Sequence, residues 1–144
     1  MREDTKSLQQ HLEEFKTVGF TIFPKMLDAS WVKAIRDSFE EIADRIPNPD
    51  GSRSATFVDM LEHKPDLILP AMTNKRLLDF AEMIVGPHVQ LESITYRRTA
   101  PEDPKTNPVL GFHRDMFAEF PQDNVYHRPL LFNALSYLQD LDDK

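Results

Sequence analysis

Leu130-Leu131-Phe132-Asn133-Ala134-Leu135-Ser136-Tyr137-Leu138 is the stretch on which the fold class turns. A nearly continuous apolar run of this length, following a loop that ends at Pro129, reads as a strand buried on both faces. Working back from it, residues 112–117 read as a second strand. Residues 99–110 read as a loop, because three Pro fall among polar residues there, and residues 89–96 read as another strand.

Upstream of these strands the periodicity changes from two to helical. Leu77, Leu78, Ala81, Ile84 and Val85 share one side of a helix, with Thr73 or Asn74 as its cap and Gly86-Pro87 as its stop. Residues 56–70 hold a helical turn or two, and residues 47–54, rich in Pro, Asn, Gly and Ser, form a loop. A longer helix is expected after Asp28, its N-cap, with Trp31, Ile35, Phe39, Ile42 and Ile46 as its apolar stripe and Pro47 as its end. Trp31 is thereby assigned to packing. The chain opens with an amphipathic helix carrying Leu8, Leu12 and Phe15 that stops at Gly19. The alternation of Val18, Phe20 and Ile22 up to Pro24 then predicts a short strand. Helices first and strands last predict an α+β domain, with residues 1–87 as a mainly helical cover and residues 88–144 as the first strands of a sheet.

Composition narrows the function. With 17 Lys+Arg against 24 Asp+Glu, the net charge of −7 disfavours nucleic acid and anionic membrane surfaces as partners. The absence of Cys removes disulfide frameworks, zinc ribbons, iron–sulfur clusters and thiol nucleophiles, so any metal must use His, carboxylates and water. No apolar run approaches the roughly 20 residues that span a bilayer, and Met1-Arg2-Glu3-Asp4 does not open a secretory signal. His11-Leu12 lacks the upstream basic residue of an N-terminal peroxisomal signal, since Asp4 stands there. A cytoplasmic location is therefore expected.

His113-Arg114-Asp115 is the most informative tripeptide. On a strand, residues i and i+2 face the same way, so an imidazole and a carboxylate reach one ion, two-thirds of a 2-His-1-carboxylate triad for Fe(II). By composition alone a His-x-Asp arises with about 40% chance, so the spacing needs context. A kinase catalytic loop would need Asn where Phe120 stands, and neither a Gly-rich phosphate loop nor a Gly-x-Ser-x-Gly elbow occurs among Gly19, Gly51, Gly86 and Gly111. His11, His63 and His88 read as structural or exposed, and His127 as a surface loop residue.

Context comes from order. Phe15-Lys16-Thr17-Val18-Gly19-Phe20-Thr21-Ile22-Phe23-Pro24, the Asp28-capped helix, Gly111-Phe112-His113-Arg114-Asp115 and Leu135-Ser136-Tyr137-Leu138-Gln139-Asp140-Leu141-Asp142-Asp143 together resemble, in order and spacing, the phytanoyl-CoA dioxygenase family. The resemblance implies N-terminal helices packed on a double-stranded β-helix (jelly-roll, cupin-like) core, incomplete in this chain. It implies an Fe(II)- and 2-oxoglutarate-dependent dioxygenase that uses O2 to hydroxylate a small-molecule or acyl substrate. It implies His113 and Asp115 as the first two metal ligands, and retention of Asp115 favours hydroxylation over halogenation. By the same resemblance Tyr96 and Arg98, on one face of their strand, are candidates to line the cofactor site; Asn133, a polar residue in an apolar strand that needs partners where buried, is either a third such candidate or a backbone-bonded Asn. Arg98 also reads as a solvated charge at the strand end.

The family pattern continues with a Gly-Ser-His segment, carrying the second His ligand, and an Arg for the distal carboxylate of 2-oxoglutarate. Neither occurs within these 144 residues, so the chain is expected to be the N-terminal portion of such a domain, weak or inactive in isolation. The segment 130–138 would then lie at an open edge and promote self-association. The alternatives are a truncated, non-catalytic relative serving as a binding or assembly module, and a metal-binding jelly roll that takes His127 as third ligand.

Overall fold

In a computed structural model of the chain, the described residues are 4–45, 55–58, 60–98 and 125–139. Helix α1, Leu8–Val18, is fixed at both ends by its own sequence. The Ser7 hydroxyl accepts from the Gln10 amide while the Gln10 side chain accepts from the Ser7 amide, a capping box that satisfies two otherwise orphaned donors. At the other end Gly19 takes a left-handed φ of 90° and its N–H returns to the Phe15 carbonyl at 2.8 Å.

This cap corrects the expected strand through Val18, Phe20 and Ile22. Val18 closes α1, and the residues after Gly19 run irregularly into a turn at Pro24 and Lys25, the latter at φ 52°. No second strand lies alongside among the described residues to receive their backbone groups. The Thr21 side chain bonds back toward α1 instead.

Helix α2, Ala29–Arg45, starts where expected, with the Asp28 carboxylate accepting from the Ser30 amide at 2.8 Å. Its stripe buries Ile35, Phe39 and Ala43. The middle of the chain holds β1, Ala55–Phe57, then α3, Met60–His63, and α4, Pro65–Met72. Pro65 occupies the first turn of α4, where a missing N–H is harmless, and Pro70 lies so near the C-terminus that the helix ends two residues later. Helix α5, Lys75–Val85, is capped by Asn74 rather than Thr73: Asn74 Oδ1 accepts from the Arg76 and Leu77 amides. Gly86 terminates α5, its N–H bonding the Glu82 carbonyl at 2.9 Å.

The described sheet is one antiparallel pair, β1 with β2, Tyr96–Arg98, in the register Ala55 to Arg98 and Phe57 to Tyr96. The strand expected over 89–96 is thus confined to its end and shifted past it. Residues 88–95 are irregular, tied to α3 where the Met60 amide donates to the Ile94 carbonyl. The strand expected over 112–117 lies outside the described residues.

Two apolar clusters hold the elements together. Ile35, Phe39, Met60 and Ile68 form the first, with Trp31, Ile94, Tyr96 and Leu138 packed on it. Trp31 does pack, as its spacing predicts, and its indole N–H donates to the Leu67 carbonyl at 2.6 Å. Leu12, Phe80 and Ile84 form the second, between α1 and α5, flanked by Phe15, Phe23 and Phe132. Phe39 is 1% exposed, so truncation to Ala would cost about 3–5 kcal/mol.

The segment that decided the fold class differs most from its reading. Residues 130–138 are irregular, and Leu130, Leu135 and Tyr137 are exposed, at 72%, 80% and 65%. Among the described residues no strand pairs with this segment, so its backbone has no ladder to join. Only part of it is sequestered: Phe132 on the second cluster and Leu138 on the first.

Candidate functional site

His113 and Asp115, the metal ligands the sequence suggests, lie outside the described residues. Among the described residues no three His, Cys, Asp or Glu side chains gather to hold a metal ion.

Tyr96 and Arg98 do share one face of β2, and that face meets α2. The Tyr96 hydroxyl donates to Glu40 Oε1 at 3.0 Å. Arg98 Nη1 lies 2.5 Å from Glu40 Oε2 and 3.0 Å from Asp44 Oδ1. The Arg98 side chain is 15% exposed, so it is a paired strap between sheet and helix rather than a solvated strand-end charge. Burial, reinforced by the Glu40 hydrogen bond and charge, pushes the Tyr96 phenol up to about 12. As placed, these two side chains are engaged with α2, and a cosubstrate carboxylate would have to compete with Glu40 and Asp44 for Arg98. Asn133 is exposed rather than set into a buried strand. His127 is half-buried in the segment that follows residue 124.

An open recess of about 360 Å³ is lined by Gln90, Glu92, Leu130 and Leu131. Arg128 lies across the end of α5: its Nε donates to the Ile84 carbonyl at 2.8 Å, occupying one of the orphan acceptors of the helix C-terminus. Gly86 sits beneath the guanidinium at φ 102°, ψ −176°, a region open essentially to glycine alone. A Cβ there would stand 2.7 Å from Arg128 Nη2.

The densest polar group was not legible in the sequence. His11 is completely buried, stacked on the Phe23 ring with centroids 3.9 Å apart, and bonded to Asp4 and Thr21. The Asp4 side chain is 6% exposed and also meets Arg76 at 2.7 Å. Burial alone would raise the Asp4 carboxyl. The Lys6 amide, His11 and Arg76 outweigh it and hold the carboxyl below its usual range. Helical spacing did place position 11 beside buried Leu12, but nothing local marks Asp4 or Arg76 as its partners.

Comparison with family models, with curated proteins and with solved structures returns no match. No helix among the described residues is long and apolar enough to cross a membrane.

Proposed function

We propose that the chain supplies the helical cover and the first two metal ligands of an Fe(II)- and 2-oxoglutarate-dependent hydroxylase resembling the phytanoyl-CoA dioxygenases. The observation that carries this reading is the ordered set of motifs: α1 closed by Gly19-Phe20, the Pro24 turn, the Asp28-capped α2, then His113-Arg114-Asp115 and the acidic run from Leu138 to Asp143. The donor set suits the ion, because one imidazole and one carboxylate offer the N,O ligation that ferrous iron accepts in facial triads. Three protein donors complete such a triad, so a third ligand is part of the proposal.

His113 and Asp115 would hold the ion. When bound, Fe(II) supplies O2 activation coupled to decarboxylation of 2-oxoglutarate to succinate and CO2, with hydroxylation of a C–H bond in a small-molecule or acyl substrate. The carboxylate of Asp115 would neutralise part of the ion's charge and would take the place that a small residue leaves to a halide. With Arg98 held by Glu40 and Asp44, the anchor for the distal carboxylate of 2-oxoglutarate is assigned to a different cation. A cytoplasmic location is proposed separately, from the sequence rather than from this chemistry, and cell fractionation would check it.

The test is succinate release from 2-oxoglutarate by the native full-length protein, with Fe(II) binding followed in parallel. Asp115→Ala should abolish both while the helical circular dichroism persists; unchanged turnover in that variant would refute the assignment. Metal binding without succinate release, in the native protein, would favour the non-catalytic binding module instead.

A further inference from the structure

Residues 129–139 are the longest run of the sequence without a charged residue or a histidine, in a chain whose net charge is −7. Within it, no helix, turn or bend interrupts residues 131–137. Their side chains nevertheless keep the two-residue period of a strand. Phe132 and Leu138 turn to the two apolar clusters, Asn133, Leu135 and Tyr137 turn to solvent, and only the small Ala134 and Ser136 stand on the inward parity between. A one-sided segment is thus laid down and anchored near both ends, with no strand beside it among the described residues.

Charge selects what pairs with it. Two copies of a chain at −7 repel one another overall, and along this run they approach with no like charges opposed. In sequence the run is bounded by His127 and Arg128 before it and by Asp140, Asp142 and Asp143 after it. Antiparallel pairing brings the basic end of each copy to the acidic end of the other, whereas parallel pairing sets acid against acid.

We infer that this segment pairs with the same segment of a second copy, antiparallel about a two-fold axis at Leu135. The register sets Leu135 against Leu135 and Asn133 against Tyr137. The apolar side chain that is 80% exposed is then covered by its own equivalent, and no amide is set against an aliphatic chain. Moving the axis to Ala134 would oppose Leu135 to Asn133. Moving it to Ser136 would leave only residues 135–137 of each copy clear of the bends at 138 and 139. One strand a side is well short of the roughly 20–30 residues of a standard interface, so the dimer is reversible and forms as concentration rises.

The chain has no Cys, so an introduced Cys is its sole thiol. Leu135→Cys, Asn133→Cys and Tyr137→Cys all fall at exposed positions, and circular dichroism checks that each leaves the helices intact. At the axis the two Cα atoms lie about 4.5–5.5 Å apart, within reach of a disulfide; equivalent positions at 133, or at 137, are offset by about 14 Å and are not. Under mild oxidation of the full 144-residue chain, Leu135→Cys should therefore form a disulfide dimer about tenfold faster than Asn133→Cys or Tyr137→Cys alone. An equimolar mixture of the latter two should give the mixed dimer, identified by mass, at the fast rate; this pair tests the register even where Leu135→Cys disturbs the fold. Equal rates in the three single variants, preferential cross-linking of Asn133→Cys with Leu135→Cys, or variants that all stay monomeric would each overturn the inference. The readout needs no metal or cosubstrate, so its failure and that of the proposed chemistry are separable.

Discussion

Arg98 and Glu40 meet across the boundary between β2 and α2, and Glu40 uses its two oxygens separately, one for the guanidinium and one for the Tyr96 hydroxyl. Tyr96→Phe removes one of these bonds and should cost about 0.5–1.5 kcal/mol in urea unfolding. The phenol is raised from 10.0 to about 12 by burial and then by Glu40. A raised folded value means that its contribution is fully present below the unfolded value near 10 and is lost as the pH climbs toward 12. Phenolate absorbance should show this late ionisation in the native chain and lose it in the variant.

Gly86 carries both backbone and packing demands. Gly86→Ala should destabilise by about 1–3 kcal/mol, since its φ of 102° and ψ of −176° suit only glycine. Arg128→Ala in the same chain removes the guanidinium that a new Cβ would meet. Part of the penalty should then be recovered, and the part due to backbone strain should remain. A double-mutant cycle by chemical denaturation separates the two.

Acid should loosen the start of the chain through its carboxylates. Glu14 is held below its usual range by hydrogen bonds from Lys6 and then Thr21, and Asp28 by the Ser30 side chain and then the Ser30 and Trp31 amides. Asp4 is depressed in the same direction. Depressed carboxyls contribute stability that is present above their unfolded values near 4 and is lost as the pH falls through the folded ones. Amide exchange in residues 4–28 should accelerate over that range before exchange in α4 and α5 does.

Residues 130–138 present Leu130, Leu135 and Tyr137 to solvent, and a second copy of the segment would cover them. Light scattering of the full chain should show mass rising with concentration. Leu135→Lys, at a site 80% exposed, should reduce that rise without lowering thermal stability; a monodisperse monomer at high concentration would contradict it.

Which elements were legible follows from where their signals lie. Gly19, Asp28, Asn74 and Gly86 act within a few residues of themselves, so the C-terminus of α1, the start of α2 and both ends of α5 can be read directly; the Ser7 capping box of α1 is local too but is not among the expected caps. A strand needs a partner that no local pattern supplies. Hence Phe20 and Ile22 alternate without pairing, and residues 130–138 are apolar without forming a ladder. The polar groups divide in the same way. Tyr96 and Arg98 could be placed on one face by parity, but Glu40 and Asp44, more than fifty residues away in sequence, decide what that face does. Arg76 likewise reaches Asp4 and the vicinity of His11 from a distant helix. His113 and Asp115 lie outside the described residues, and their pairing rests on the tripeptide taken with the order of the motifs around it.

The irregular segment 125–139 has a thermodynamic consequence. The two apolar clusters share no residue among those described, yet Phe132 packs on one and Leu138 on the other. The span from Phe132 to Leu138, no more than about 22 Å when extended, thus adds a second covalent link between clusters already joined through Thr73 and Asn74 between α4 and α5. Arg128 fixes its near end to α5. The cooperativity of unfolding therefore draws on this strip's two apolar contacts as well as on the short connection between α4 and α5.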